Sequence, residues 1–137
     1  MRSTPDRIRH AVSFEIIAIA MVMFLGSSLF GMPPVSMGAL GIASSLVATI
    51  WTYLYNLGFD HALLRLNGNS EKSWTMRVVH TVLFEITLSL VLLPVIATML
   101  GIGLIEALVM DISLMAFFLV YTFVFNLVYD RVFPIPE

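Results

Sequence analysis

Two glutamates stand in apolar sequence at matching places. Glu15 closes the run Arg7-Ile8-Arg9-His10-Ala11-Val12-Ser13-Phe14-Glu15, and Glu85 closes Arg77-Val78-Val79-His80-Thr81-Val82-Leu83-Phe84-Glu85, with Arg, His, Phe and Glu at the same spacing. A carboxylate inside an apolar span is costly if ionised and unpaired, so it faces a cavity, takes a partner or holds a proton. Burial favours the proton and a nearby arginine or protonated histidine favours the charge, so such a group can trade a proton for an organic cation. The structural alternative is a protonated glutamic acid hydrogen-bonded to a neighbouring helix. That alternative has more weight for Glu85 than for Glu15.

A second pair of blocks keeps the same register. Trp51-Thr52-Tyr53-Leu54-Tyr55-Asn56-Leu57-Gly58-Phe59-Asp60 aligns without a gap to Tyr121-Thr122-Phe123-Val124-Phe125-Asn126-Leu127-Val128-Tyr129-Asp130. The chain therefore reads as one membrane domain over residues 1–137, with a repeat over about 7–60, a connector over 61–76 and a second repeat over about 77–130. On a helix Arg7, His10 and Phe14 share a face with Glu15 at its edge, and Arg77, His80, Phe84 and Glu85 rebuild that arc. Asn56 and Asp60 are helical neighbours, as are Asn126 and Asp130. A carboxylate at a helix C-terminus opposes the macrodipole and calls for a cation, for which Arg7 and Arg77 are the nearest candidates. Arg7, His10, Asp60, Arg77, His80 and Asp130 are thus either ion pairs tying helix ends or parts of a gate.

For the apolar body of a cation, Trp51 is the best ring, since a cation over an indole face is attracted. Phe14, Tyr55 and Asn56 are further binding candidates. Asp111 and Glu106 have no counterpart in the first repeat, where Gly41 and Ser36 stand. Glu106 reads as a solvated residue near a hairpin. Asp111, about a turn deeper, reads as either a relay for a cation or a plain interfacial carboxylate.

The elements that position these groups follow from composition. Of 137 residues 59% are hydrophobic and 12% charged, and the mean hydropathy is +0.96, which marks a membrane protein. Four stretches are long enough to cross a bilayer, a task needing about 20 helical residues: about His10 to Phe30, Val35 to Phe59, Val78 to Leu100 with Pro94 expected to bend it, and Leu104 to Val128. The first is read as a retained span rather than a cleaved leader, since it is long and no small-residue cleavage site follows. The expected fold is all-α, four transmembrane helices as two hairpin repeats of the same orientation. All seven Lys and Arg lie in the N-terminus, the connector or the C-terminal end, which predicts both termini on the cytoplasmic side. With no cysteine, thiolate metal sites and a Cys nucleophile are excluded. A net charge of -2 without a basic patch argues against nucleic acid. No Ser/His/Asp set or Gly-rich phosphate loop is present, and His10 and Glu15 are poorly spaced to share a metal, so neither an enzyme nor a cofactor is expected.

The doubled Arg-x-x-His-x-x-x-Phe-Glu, each time followed by the aromatic, Asn and Phe/Tyr-Asp ending, resembles the proteobacterial antimicrobial compound efflux family of small inner-membrane transporters, built from a duplicated bacterial transmembrane pair. The resemblance covers nearly the whole chain. It implies proton-coupled antiport of cationic amphipathic biocides such as chlorhexidine or acriflavine, and of short-chain diamines, with Glu15 as the coupling carboxylate. Four helices are few for a gated pathway, so a homodimer with the path at or near its interface is expected. Two other classes stay open on residues alone: another type of small multidrug exporter, and a non-transporting membrane subunit whose polar residues only hold helices together.

Overall fold

The computed structural model describes residues 3–134, and within them the chain is four α-helices joined by short turns. α1 covers Thr4–Phe30, α2 Pro34–Asn67, α3 Trp74–Leu100 and α4 Leu104–Val132. The duplication is written into their ends: α3 starts and stops 70 residues after α1, and α4 starts 70 after α2. Ser3 caps α1 by accepting from the Asp6 amide, and Ser73 caps α3 by accepting from the Met76 amide at 3.2 Å. Both helices stop at a glycine in the left-handed region, Gly31 at φ 65° and Gly101 at φ 64°, where a side chain would be strained. After Gly101 the Ile102 amide reaches back to the Ala97 carbonyl at 3.1 Å, the closing bond of a Schellman turn.

All four helices are long and apolar enough to span a bilayer. Helix α3 is continuous through Pro94. The main difference from the sequence reading lies at the connector. Helix α2 runs 34 residues, about 50 Å, and carries the chain two turns beyond Asp60 to Asn67 before Gly68 (φ 75°) ends it. The loop between α2 and α3 is therefore confined to residues 68–73, and Asp60 is not at a helix end.

Contacts divide the chain into two units that do not coincide with the two repeats. One is Met1–Gly41 with Val109–Glu137, the other Ile42–Leu108. In the first, α1 and the start of α2 interlock. The glycine at 26 receives the fully buried Met37, and Gly38 receives Met23, whose sulfur would lie 3.0 Å from an added Cβ. Small residues here let two helix backbones approach closely, as membrane helices require in the absence of a hydrophobic drive between them. Ala18, Val22, Leu40, Met110, Asp111, Tyr121 and Tyr129 complete the buried set of this unit.

Candidate functional site

In the first unit the repeated histidine of α1 reaches across to α4. His10 Nε2 lies 2.7 Å from Asn126 Oδ1, and its ring stands edge-on to Phe125 and Tyr129. One turn on, Phe14 packs against Tyr121 and Phe125, and the Tyr121 hydroxyl donates to the Phe14 carbonyl at 2.8 Å. Glu15 follows on the same helix, close enough to act electrostatically on Tyr121, and its side chain is exposed. One turn earlier, Arg9 Nε donates to Tyr129 Oη at 3.0 Å and its guanidinium covers the Phe133 ring at 3.7 Å, while Tyr129 donates to Asp6 Oδ1 at 2.9 Å. Arg9 also bonds Asp6 directly.

The second unit builds the same device from α2 and α3. His80 Nε2 lies 3.0 Å from Asn56 Oδ1, and the Asn56 amide nitrogen donates to the Thr52 carbonyl at 2.8 Å. With the amide so oriented, its oxygen accepts, and His80 Nε2 carries the proton. Tyr55 donates to the His80 carbonyl at 2.9 Å and packs on Phe84, and Trp51 Nε1 donates to Thr87 Oγ1 at 3.2 Å. Glu85 is half-buried.

The histidine of the first repeat is thus tied to the asparagine of the second, and the histidine of the second to the asparagine of the first. The sequence offered both histidines and both asparagines as candidates but did not pair them. The available signal was their identity in both copies, since residues kept at both repeats in different helices are those able to form the same contact twice. Tyr121 and Tyr129, which the sequence analysis did not single out, also tie α4 to α1 through their hydroxyls.

Asp60 requires a correction. Its cation is Lys72, at 2.8 Å from Oδ1 and 5.5 Å above the Phe59 ring, not Arg7 or Arg77. Because α2 continues past Asp60, the loop returning to α3 lays Lys72 beside it. The pair is partly exposed and ties the loop down by at most about 1 kcal/mol. Arg7, Arg77 and Asp130 are exposed. Phe14, Glu15, His10, Asp111 and Asn126 belong to one unit, and Trp51, Tyr55, Asn56, Asp60, Arg77, His80 and Glu85 to the other. Among the described residues no group of three or more His, Asp and Glu is placed to hold a metal ion.

A duplicated unit is also what comparison with known families finds. The model for chlorhexidine efflux transporters matches the chain twice, over residues 2–65 and 72–135. The chain belongs to the chlorhexidine efflux transporter family. It is similar to a short-chain diamines transporter of Vibrio parahaemolyticus, 37% identical over 129 residues that cover 94% of this chain and 91% of the relative. Proteins of the same description in Acinetobacter baumannii and Acinetobacter baylyi are 32% and 31% identical, each over 92% of this chain and 86% and 88% of their own length. No solved structure gives a significant match. With four helices able to span a bilayer, this member of the efflux transporter family is a multi-pass membrane protein and a transporter rather than an enzyme.

Proposed function

We propose that the protein exports organic cations, biocides of the chlorhexidine or acriflavine type and short-chain diamines, in exchange for protons, with Glu15 as the coupling group. The observation that carries this reading is a carboxylate eleven residues into α1, about 16 Å from the helix start, beside the Phe14–Tyr121–Phe125 aromatic cluster. From Ala11 to Asp60 and from Ile86 to Asp130 the sequence has no Lys, Arg or His. In these stretches the charged groups are therefore all acids, set among aromatic rings, a composition suited to a cation. Deprotonated Glu15 attracts the cation and protonation releases it. In the other unit Trp51, fixed through Thr87, and Tyr55 and Asn56 supply walls for an apolar body on the side of Glu85. Glu85 is the equivalent acid of the second repeat. The His10–Asn126 and His80–Asn56 ties each hold one helix pair together, with Arg7 and Asp130 near the first tie in sequence and Arg77 and Asp60 near the second.

The expected setting is the bacterial inner membrane with both termini cytoplasmic, because every Lys and Arg lies at that end of the helices. Glu15 is exposed on α1, and a carboxylate left facing lipid would be costly, which supports a homodimer whose second copy covers that face. One proton moving down ~100 mV supplies ~2.3 kcal/mol, small for expelling a dication, so more than one proton per diamine is expected. In proteoliposomes, Glu15→Gln should abolish proton-linked exchange of chlorhexidine or a diamine while the protein stays folded. Exchange at the unaltered rate would remove Glu15 from the mechanism.

A further inference from the structure

Among the described residues Asp111 is the one buried charged side chain, 5% exposed, and its Oδ2 has no hydrogen-bond partner. Within its unit, α1 from Ile16 to Phe30, α2 from Pro34 to Gly41 and α4 from 109 to 120 contribute no other titratable group, and Tyr121 is the next along α4. It is not a base. Asp111 stands seven residues, about 10 Å, inside α4, beyond the first turn over which a helix N-terminus stabilises negative charge. An ionised carboxylate so placed finds no counter-charge beside it among the described residues of its unit and has to take up a proton or a cation from outside that unit. As a neutral acid it still leaves a buried oxygen unsatisfied, which weakens the fold. A group that costs stability and ties nothing together is where function is to be sought.

We propose that Asp111 is a second cation-exchange site, holding a proton when empty and an organic ammonium group when loaded. The proposal rests on the efflux reading and adds a second station to it. Tyr121, on which Glu15 acts, lies ten residues from Asp111 along α4, about 15 Å. Along the stretch between them α4 lines a cavity of about 140 Å³ with Ser113, Leu114 and Phe117, faced by Val22, Gly26 and Met37. A four-carbon diamine is shorter than the rise from Tyr121 to Asp111, so with Glu15 at the level of Tyr121 the proposal has the two acids loaded in turn rather than bridged. The exchange balances at each station: the entering ammonium leaves an ion pair with the carboxylate as the acid gives its proton to water, and departure of the cation returns the proton. The buried site is neutral in both states.

The test is proton release on titrating purified protein in detergent with a four-carbon α,ω-diamine, alongside diamine exchange in proteoliposomes. Wild type, Asp111→Asn, Glu15→Gln and the double variant are compared. Asp111→Asn should release about one proton fewer than wild type at saturating diamine, keep a Glu15-dependent release, and exchange at least tenfold more slowly. Its melting temperature should match or exceed that of wild type, since the lost carboxylate makes no hydrogen bond. Asp111→Glu should recover part of the exchange. Release and exchange equal to wild type in Asp111→Asn would overturn the proposal while leaving the Glu15 reading intact. A sharply lowered melting temperature would overturn it by making the carboxylate structural. Absence of both release and exchange in wild type would overturn the efflux reading and the proposal with it.

Discussion

At the scale of residues the molecule repeats one hydrogen bond twice, a histidine Nε2–H to an asparagine oxygen, once as His10–Asn126 and once as His80–Asn56. Each is half-buried among aromatic rings, so removing the acceptor leaves a donor poorly hydrated. Asn126→Ala and Asn56→Ala should each lower stability by about 1–2 kcal/mol, read as melting in detergent. Trp51→Phe loses the bond to Thr87 but keeps a ring, and Thr87 stays bonded to the Leu83 carbonyl. That variant should be nearly as stable as wild type and bind chlorhexidine within a few-fold, whereas Trp51→Ala should weaken binding by tenfold or more, a loss of the order of a desolvated cation–π contact. Binding of a fluorescent cationic dye measures both.

At the scale of elements, α1 and α2 approach through glycine on one helix and methionine on the other. A Cβ at position 26 would lie 2.6 Å from Met37 Cγ, near the root of a side chain that is 1% exposed and has nowhere to move. Gly26→Ala should therefore cost about 1–3 kcal/mol through overpacking, and Met37→Ala in the same chain should restore part of it. Gly58, in the middle of α2, has open space where its Cβ would stand. Gly58→Ala should stabilise by about 0.5–1 kcal/mol, because only the conformational freedom of the glycine is removed. Opposite signs for one substitution at two helical glycines, measured by thermal melting, test the packing directly.

At the scale of the whole molecule, orientation and assembly are the open expectations, and the absence of cysteine makes the first easy to test. Ser70→Cys in the loop before α3 and Gly103→Cys in the turn before α4 should be labelled by an impermeant maleimide from opposite sides, Ser70→Cys from the cytoplasm. Labelling of both from one side would refute the positive-inside reading. Much of this plan is local and so was legible in the residues. Apolar runs of span length, caps at Ser3 and Ser73, glycine stops at Gly31 and Gly101 and the acids at 15 and 85 depend on neighbours within a few turns, and the 70-residue offset declares the duplication. The extension of α2 past Asp60 was missed because Asp60, His61 and Arg65 mark the end of the apolar span, although Ala62, Leu63, Leu64 and Leu66 favour a continuing helix. The partner of each histidine was not legible. A duplicated chain presents His10 with two chemically equal asparagines, at 56 and at 126, and only long-range packing of α1 against α4 selects the second. The same packing decided that Glu15 lies exposed on its helix while Asp111 is buried, for burial is a property of neighbouring helices and not of the order of residues within one.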